Sequence, residues 1–218
     1  MLTTMQDERL LYAPEAYSAA DPWAIVRRYP FALLITCGPS GMLATSIPIL
    51  PEADGARDRM IGHMARANPQ ACAMVVGQSA LAIFCGPHAY ISASWYRERL
   101  TVPTWNYVSA HVRGTLEPID DPAQQLAILR RTAAVVEGAN DSSWTLEDAP
   151  PGRVDTLLPR IRSFRLTVGR IEGVTKLSQT HPASDRRRVI QRLLARGGEG
   201  DVEIAQLMAG LSIENDCP

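Results

Sequence analysis

The chain has 218 residues, of which 46% are hydrophobic, and its formal net charge at pH 7 is −1. This composition is typical of one globular domain, or of one domain with an appendage, and unlike that of a disordered chain. A charge so close to zero provides no global attraction to DNA or to an anionic membrane, and no run of about 18 apolar residues predicts a membrane span.

The N-terminus and the cysteines favour a cytoplasmic protein. Asp7 and Glu8 occur early and no apolar leader core accompanies them, so a signal peptide is not expected. Cys37, Cys72 and Cys85 lie in apolar segments, and no two cysteines form a CxxC pair. We therefore expect reduced thiols in the core of a cytoplasmic protein.

The first third of the chain predicts a helix followed by a hairpin. Asp21-Pro22 is a helix start, with an N-cap residue and proline at the first helical position. Residues 31–37 form a continuous apolar run, which is typical of a strand buried on both faces. A turn at residues 38–41 leads to a second arm at residues 42–50, where Pro48 favours a strand edge or a bulge.

Further strands are predicted at residues 60–64, 80–85 and 109–119. Asn68-Pro69 marks a loop entering a helical turn. Asp121-Pro122 begins a second helix whose packing face would carry Leu126, Leu129, Ala133 and Val136, with Gly138 as its C-cap.

The last third of the chain predicts one more strand and a helical tail. Residues 154–161 suit a short helix limited by Pro159, and residues 163–171 alternate as a half-buried strand. The tail from Asp185 holds two helices separated by residues 197–200, which include three glycines.

Aromatic and polar side chains are concentrated in residues 83–107, between two predicted strands. We expect a loop there that holds a flat polar ligand or a partner surface, and the alternative is an aromatic cluster packed under the loop. The residues concerned are His88, Tyr90, Trp95, Tyr96, Trp105, Asn106 and Tyr107.

Six or so short strands with few intervening helices predict a mainly β fold, an antiparallel barrel with peripheral helices. No GxGxxG, Walker or HExxH motif is present, so side chains and strand-end amides would have to hold a phosphate. Thr45 and Ser46 on the second strand, with Arg66 at a strand-to-helix junction, form one candidate anion site. The alternative is that Arg66 is an ordinary surface arginine.

Lys176 is the one lysine among 22 basic residues. An ammonium group acts as a compact charge on a flexible stem, unlike a guanidinium, so we hypothesise a phosphate contact for it. The alternative is a chance surface lysine. The four histidines do not have metal-ligand spacing, no metal site is predicted, and none is singled out as a haem ligand.

Four separated motifs resemble the PaiB-type family of FMN-binding negative transcriptional regulators. They are residues 62–70 (GHMARANPQ), 86–96 (GPHAYISASWY), 102–107 (VPTWNY) and 171–179 (IEGVTKLSQ), and Asp185-Arg186 follows them. The resemblance runs from about Leu11 to the C-terminal helices.

This resemblance implies an FMN-binding split barrel, similar to pyridoxamine-phosphate oxidases and flavin reductases, with a C-terminal helical extension. It implies a homodimer with FMN at the subunit interface. Residues 1–184 would form the flavin-binding domain, and residues 185–218 a tail packed on the domain or on the partner.

Carried over residue by residue, the resemblance places Thr45 and Ser46 along the isoalloxazine edge and residues 63–66 at the ribityl phosphate. The remaining positions would line the other wall, some of them from the partner subunit. The implied cofactor-binding residues are Thr45, Ser46, His63, Met64, Ala65, Arg66, Trp95, Trp105, Asn106, Tyr107, Lys176, Ser178 and Gln179.

Two positions depart from the family pattern. Many relatives carry a histidine where this chain has Ser46, and oxidase-type barrels use an arginine and a lysine on the strand where this chain has Thr45. The phosphate site would therefore depend on Arg66 and Lys176, and we hypothesise that Lys176 contacts either the phosphate or the pyrimidine edge of the flavin.

The tail resembles a helix-turn-helix only superficially. Its first helix is basic, but the second carries Asp201 and Glu203 and no Lys or Arg, whereas a recognition helix needs donors and cations. Packing in the core or at a dimer interface is favoured, with non-specific phosphate contact by the first helix left open. The packing positions on the second helix are Ile204, Leu207, Met208 and Leu211.

Three functions follow from these patterns: an FMN-binding regulator, an FMN-dependent oxidoreductase acting on a small molecule, or a dimeric binding module without a cofactor. No residue stands out as a general acid or base. Since a flavin carries its own redox chemistry, this does not decide between the first two.

Overall fold

The computed structural model describes residues 9–38 and 41–214. The predictions made at Asp7 and Glu8 lie outside the described residues, as do Cys217 and the two central residues of the turn predicted at residues 38–41.

The described chain contains six strands and six α-helices. The strands are β1 Phe31–Gly38, β2 Gly41–Pro51, β3 Arg59–Ala65, β4 Gln78–Ile91, β5 Thr104–Ile119 and β6 Ile161–Lys176. The helices are α1 Pro22–Arg28, α2 Pro69–Ala73, α3 Pro122–Ala139, α4 Arg153–Leu157, α5 Ala183–Arg196 and α6 Glu199–Glu214.

The strands form a closed barrel in the order β1-β2-β3-β6-β5-β4. β1 and β2 are an antiparallel hairpin paired from Phe31↔Pro48 to Gly38↔Gly41, and β3 pairs antiparallel to β6 with Gly62 opposite Phe164. The predicted mainly β class, an antiparallel barrel with peripheral helices, is confirmed.

The chain divides into two compact units, which are described separately. Among the described residues, unit 1 comprises residues 9–25, 85–110 and 172–214, and unit 2 comprises residues 26–38, 41–84 and 111–171. β4, β5 and β6 each contribute residues to both units. The predicted boundary at residues 184 and 185 stays a prediction.

Three helix starts are confirmed by their capping contacts. The Asp21 carboxylate accepts from the backbone N–H of Trp23, that of Asp121 from Gln124, and the side-chain oxygen of Asn68 from Gln70. Each N-cap is followed by a proline, whose missing N–H costs nothing at this position. α3 ends at Ala139, so Gly138 lies within the helix and the C-cap is Asn140, contrary to the prediction.

The buried face of α3 is offset by one residue from the predicted face. Gln125 and Ile128 are its buried residues, while the predicted positions are only partly buried. Ile128 packs with Leu50, Ile61 and Ile119, and Gln125 donates from Nε2 to the Ile119 carbonyl. The polar Gln125 reaches the core because that carbonyl satisfies its amide.

Several predictions about the strands were wrong. Burial in β1 alternates, so only one of its faces is fully buried. Pro48 lies in a strand paired on both sides, at the point where pairing with β1 ends and pairing with β3 begins at Ile49. A missing N–H is tolerated at such a junction.

The cysteines were also predicted wrongly, since Cys37, Cys72 and Cys85 are exposed and are not core thiols.

The aromatic stretch is mostly strand instead of loop. β4 continues to Ile91 and β5 begins at Thr104, so only residues 92–103 connect them. Aromatic residues favour extended backbone, and this preference extended both strands.

In the described part of the chain, no helix is both long and apolar enough to cross a membrane.

Gly114 allows a close approach between β5 and β6 in unit 2. A Cβ added at Gly114 would lie 2.1 Å from the Thr167 carbonyl oxygen. We expect Gly114→Ala to lower the free energy of unfolding by about 2–3 kcal/mol, because backbone must move to admit the methyl group. Chemical denaturation measures the change.

Gly138→Ala is the matched control, since nothing lies within 4 Å of a Cβ added inside α3. Alanine should stabilise that helix by about 0.5–1 kcal/mol. Equal stability of the two variants would contradict the proposed approach of β5 to β6.

Candidate functional site

A buried hydrogen-bond network lies in unit 1 and centres on Ser178. The Asn106 Nδ2 donates to Ser178 Oγ at 3.1 Å, and the Tyr96 hydroxyl lies 3.1 Å from the same oxygen. Asn106 also donates to Met208 Sδ of α6 at 3.4 Å. Asn106 and Ser178, two of the predicted flavin-binding residues, are both buried.

The turn that follows β6 holds Ser178 in a left-handed conformation, with φ of 60°. Gln179 closes this turn: its Oε1 accepts from the Leu177 N–H at 2.7 Å and its Nε2 donates to the Thr175 carbonyl. His181 N–H then donates to the Ser178 carbonyl at 3.0 Å. The Gln179 side chain is therefore committed to the backbone.

β5 presents the predicted motif on two opposite faces, because side chains alternate along a strand. Trp105 lies on the face opposite to that of Asn106, and 52% of its surface is exposed. The Trp105 ring centroid lies 5.8 Å from the His88 ring and 5.8 Å from the Tyr90 ring, both of β4. We call these three residues the aromatic face of unit 1.

Lys176 is placed by two contacts at the end of β6. Its Nζ donates to Thr104 Oγ1 at 2.6 Å and lies 5.7 Å from the centre of the Tyr17 ring. The ammonium group is partly buried and has no carboxylate partner among the described residues. It is thus free to pair with an anion.

Asp185 fastens the connection after Trp95 to the start of α5. Its carboxylate accepts from the backbone N–H groups of Arg97 at 2.8 Å, Glu98 at 3.3 Å and Arg99 at 2.9 Å. Burial opposes ionisation of Asp185, but these donors and the nearby Arg188 lower its pKa overall. No role was predicted for Asp185, although an aspartate in the first turn of a helix indicates contacts with backbone N–H groups.

Trp95 ends a short 3-10 turn, Ala93–Trp95, and contacts the arginine at the end of α5. The Arg196 guanidinium carbon lies 5.2 Å from the Trp95 ring centre, and Arg196 forms an ion pair with Asp201 of α6. Ile204 and Met208 of α6 are buried. The prediction that this helix packs through its apolar face is confirmed.

Unit 2 holds the other predicted residues. Thr45 Oγ1 accepts from Asn68 Nδ2 at 3.0 Å, which joins β2 to the start of α2, while Ser46 is exposed on the opposite face. Met64 is buried in the core and Ala65 is exposed.

His63 is partly buried, and its imidazole lies in a position that favours the neutral form. Burial lowers its pKa below 6.5, and neither its Nδ1 nor Oγ of Ser163, its register partner on β6, has a hydrogen-bond partner among the described residues. The neutral imidazole is favoured, so His63 contributes no positive charge near neutral pH.

Arg66 is already paired. Its Nη1 lies 3.0 Å from Asp120 Oδ1, and its Nε donates to the Pro159 carbonyl at 3.1 Å. Asp120 also pairs with Arg162, whose Nη2 lies 3.0 Å from Asp120 Oδ2. Both arginines lower the pKa of the Asp120 carboxyl, and Arg162 has the larger effect. A carboxylate of the chain thus binds the guanidinium that was predicted to bind a phosphate.

Within unit 1, Asn106 and Ser178 meet directly, and Lys176 and Gln179 flank them on the same turn. Within unit 2, Thr45 contacts Asn68 and Arg66 pairs with Asp120, while His63 Nδ1 has no hydrogen-bond partner among the described residues. The roles of Asp120 and Asp185 were missed, as was the contact of Tyr96 with Ser178, because these pairings join residues distant in sequence. The assignment of the predicted residues to a cofactor stays a prediction.

A family model described as "Putative FMN-binding domain" matches residues 11–170. The chain is 30% identical over 203 residues to the "Protease synthase and sporulation protein PAI 2" of Bacillus subtilis, covering 91% of this chain and 96% of that protein.

Solved structures show the same fold at low sequence identity. The flavocytochrome Anf3 of Azotobacter vinelandii has a TM-score of 0.56 and 16% identity, over 78% of this chain and 75% of that one. A FAD and heme binding protein of Mycobacterium smegmatis has a TM-score of 0.50 and 17% identity, over 84% and 80%. The predicted split barrel is confirmed.

Replacing Ser178 tests the buried network. Ser178→Ala leaves the Asn106 amide and the Tyr96 hydroxyl buried without their shared partner, so we expect a loss of about 2–4 kcal/mol in unfolding free energy. Ser178→Gly removes the same hydroxyl but relieves the left-handed backbone, and should be about 1 kcal/mol more stable than the alanine variant.

Thermal or urea unfolding of both variants gives the order. If Ser178→Ala proves as stable as the unmodified protein, the network does not hold unit 1 together.

His63 should make stability depend on pH. Because its folded pKa lies below 6.5, the unfolded chain takes up a proton as pH falls through about 6.5, whereas the folded chain does not. The folded state therefore has its full free energy of unfolding above this pH. That free energy decreases as the pH falls towards the lowered pKa of folded His63. His181, whose pKa is lowered by burial and then by Arg99, acts in the same direction.

Urea unfolding at a series of pH values from about 8 to about 5 measures this effect. His63→Gln should flatten the profile, because it removes the titrating imidazole. An unchanged profile in His63→Gln would refute the assignment.

Proposed function

This chain belongs to the family described as the putative FMN-binding domain, and from that membership we propose that it is a cytoplasmic, homodimeric, FMN-binding regulator. The regulatory part rests on the Bacillus subtilis relative, whose name connects that protein with protease synthesis and sporulation. A regulator needs a ligand-binding site and a surface whose contacts change when the ligand binds, and it does not need catalytic residues.

The observation that carries the flavin proposal is the aromatic face of unit 1. An indole that is 52% exposed and supported by a histidine and a tyrosine ring offers a flat apolar surface to a fused ring system. Large aromatic side chains remain this exposed at sites of recognition more often than elsewhere.

Lys176 supplies the matching charge in the same unit. Thr104 fixes the ammonium group at the end of β6, and no carboxylate in the described part of the chain neutralises it. A phosphate or an electron-rich ring edge would satisfy this cation. Unit 1 therefore offers the two kinds of group that FMN requires, an aromatic surface and a cation, on the two faces of β5. When bound, the flavin would supply redox chemistry.

The homodimer is supported by apolar side chains on unit 1. Leu100 is 81% exposed, Val102 is 72% exposed, and Trp105 follows them at the start of β5. A protein that leaves several large apolar groups in water near one another generally covers them in an assembly. A second copy of the chain is the proposed cover.

Direct reading of DNA by α6 is not part of the proposal. Asp201 of α6 is paired with Arg196, and the apolar side of the helix is buried in unit 1. Regulation would therefore act through the bound flavin or through a partner, not through major-groove contacts of this helix.

Titration with FMN, followed by quenching of flavin fluorescence, tests the proposal. We expect saturable binding of one FMN per chain. Trp105→Leu should weaken it about tenfold or more, the loss expected for one ring-stacking contact. Trp144→Leu is the matched control, because Trp144 is 43% exposed but lies in unit 2.

Lys176→Met tests the charge separately and should also weaken FMN binding, while Lys176→Arg retains part of it. Absence of saturable binding at tens of micromolar, which corresponds to about −6 kcal/mol, would overturn the flavin proposal. Steady oxidation of NADH or NADPH by the FMN-loaded protein would replace regulation with an oxidoreductase function.

A further inference from the structure

A basic cleft of about 370 Å³ opens in unit 1 beside the start of the connection between β4 and β5. None of the roles proposed above for FMN, dimerisation or packing uses its arginines. We call it the arginine cleft, and the residues that line it are Ser94, Trp95, Arg97, Arg188, Gln191, Arg192 and Ala195.

The three arginines differ in how far their charges are neutralised. The Arg188 Nη2 lies 3.3 Å from Asp185 and 3.6 Å from Glu98, so this charge is largely balanced. The guanidinium groups of Arg97 and Arg192 have neither an ion-pair nor a hydrogen-bond partner in the described part of the chain. The cleft therefore carries two uncompensated positive charges.

Two different elements hold these charges next to each other. Arg188 and Arg192 are four residues apart on α5 and share one side of that helix. Arg97 lies on the connection that the Asp185 carboxylate fixes through backbone hydrogen bonds. Because its backbone is anchored, little ordering of the chain is needed before a ligand binds.

We propose that the arginine cleft binds the phosphate group of a small molecule that also carries a planar ring. A guanidinium presents paired donors that match phosphate oxygens, and Arg97 and Arg192 would provide them. Trp95, at the wall of the same cleft, provides an aromatic surface for the ring, and Gln191 and Ser94 provide neutral hydrogen-bonding groups. A nucleoside monophosphate has this chemistry.

The surroundings favour a small phosphate compound over a nucleic acid. Glu98 and Asp185 lie against Arg188, and Glu199 and Asp201 begin the following helix. An extended polyanion would meet all of these carboxylates, whereas a phosphate group held by Arg97 and Arg192 would face only those paired with Arg188. The net charge of −1 also gives no long-range attraction to DNA.

This site goes beyond the proposed flavin function, since none of its charged residues is assigned to FMN. Isothermal titration of the full-length protein with adenosine 5′-monophosphate (AMP), inorganic phosphate and adenosine tests it. We expect AMP to bind more tightly than inorganic phosphate, and adenosine not to bind detectably.

Single substitutions then locate the binding. Arg97→Gln and Arg192→Gln should each weaken AMP binding about tenfold or more. Arg187→Gln is the matched control, because it removes the same charge from an exposed position of α5 outside the cleft and should leave affinity unchanged. Trp95→Leu should weaken binding of AMP but not of inorganic phosphate.

FMN titration of the same variants separates this inference from the flavin proposal. Unchanged FMN affinity in Arg192→Gln, with weakened AMP binding, supports a second site. An equal loss of both would make the cleft part of the flavin site and overturn the inference, as would an equal effect of Arg187→Gln. No AMP binding at millimolar concentration, with FMN binding intact, would overturn the cleft alone.

Discussion

The hydrogen bonds that meet at Ser178 are the constraint on which the organisation of unit 1 depends. One hydroxyl satisfies the Asn106 amide from β5 and the Tyr96 hydroxyl from the connection after β4, and Asn106 in turn contacts α6 through Met208. Each group is buried, so the cost of leaving any of them unpaired is high. The left-handed backbone at Ser178 is tolerated because these partners determine where the hydroxyl must lie.

This constraint explains why the VPTWNY motif serves two purposes. Strand geometry sends alternate side chains to opposite faces, so Asn106 secures the interior while Trp105 remains exposed on the other face. The motif thus contains one residue that is available for contact and one that is committed to internal hydrogen bonds. The resemblance alone assigns the same cofactor role to Trp105 and Asn106, whereas their burial distinguishes them.

Local chemistry was predictable from the sequence, whereas long-range pairing was not. The three aspartate or asparagine N-caps followed by proline were identified because capping involves residues two or three apart. The extent of β4 and β5 was missed, since aromatic residues were attributed to a loop. Residues such as Asp120 and Asp185 gain their roles from partners roughly 50 to 90 positions away, as in Arg66 with Asp120 and Arg97 with Asp185. Composition and spacing do not encode such pairings.

The distribution of paired and unpaired cations has a consequence for anion binding. Arg66 and Arg162 share Asp120, Arg165 is paired with Glu52 and Glu117, and Arg196 with Asp201. An anion that approached Arg66 would also approach Asp120, whose negative charge offsets much of the Coulombic attraction. Lys176, by contrast, is positioned by a neutral hydroxyl, which leaves its charge available. Of the two residues predicted to contact the phosphate, Lys176 is therefore better suited than Arg66 to bind an anion.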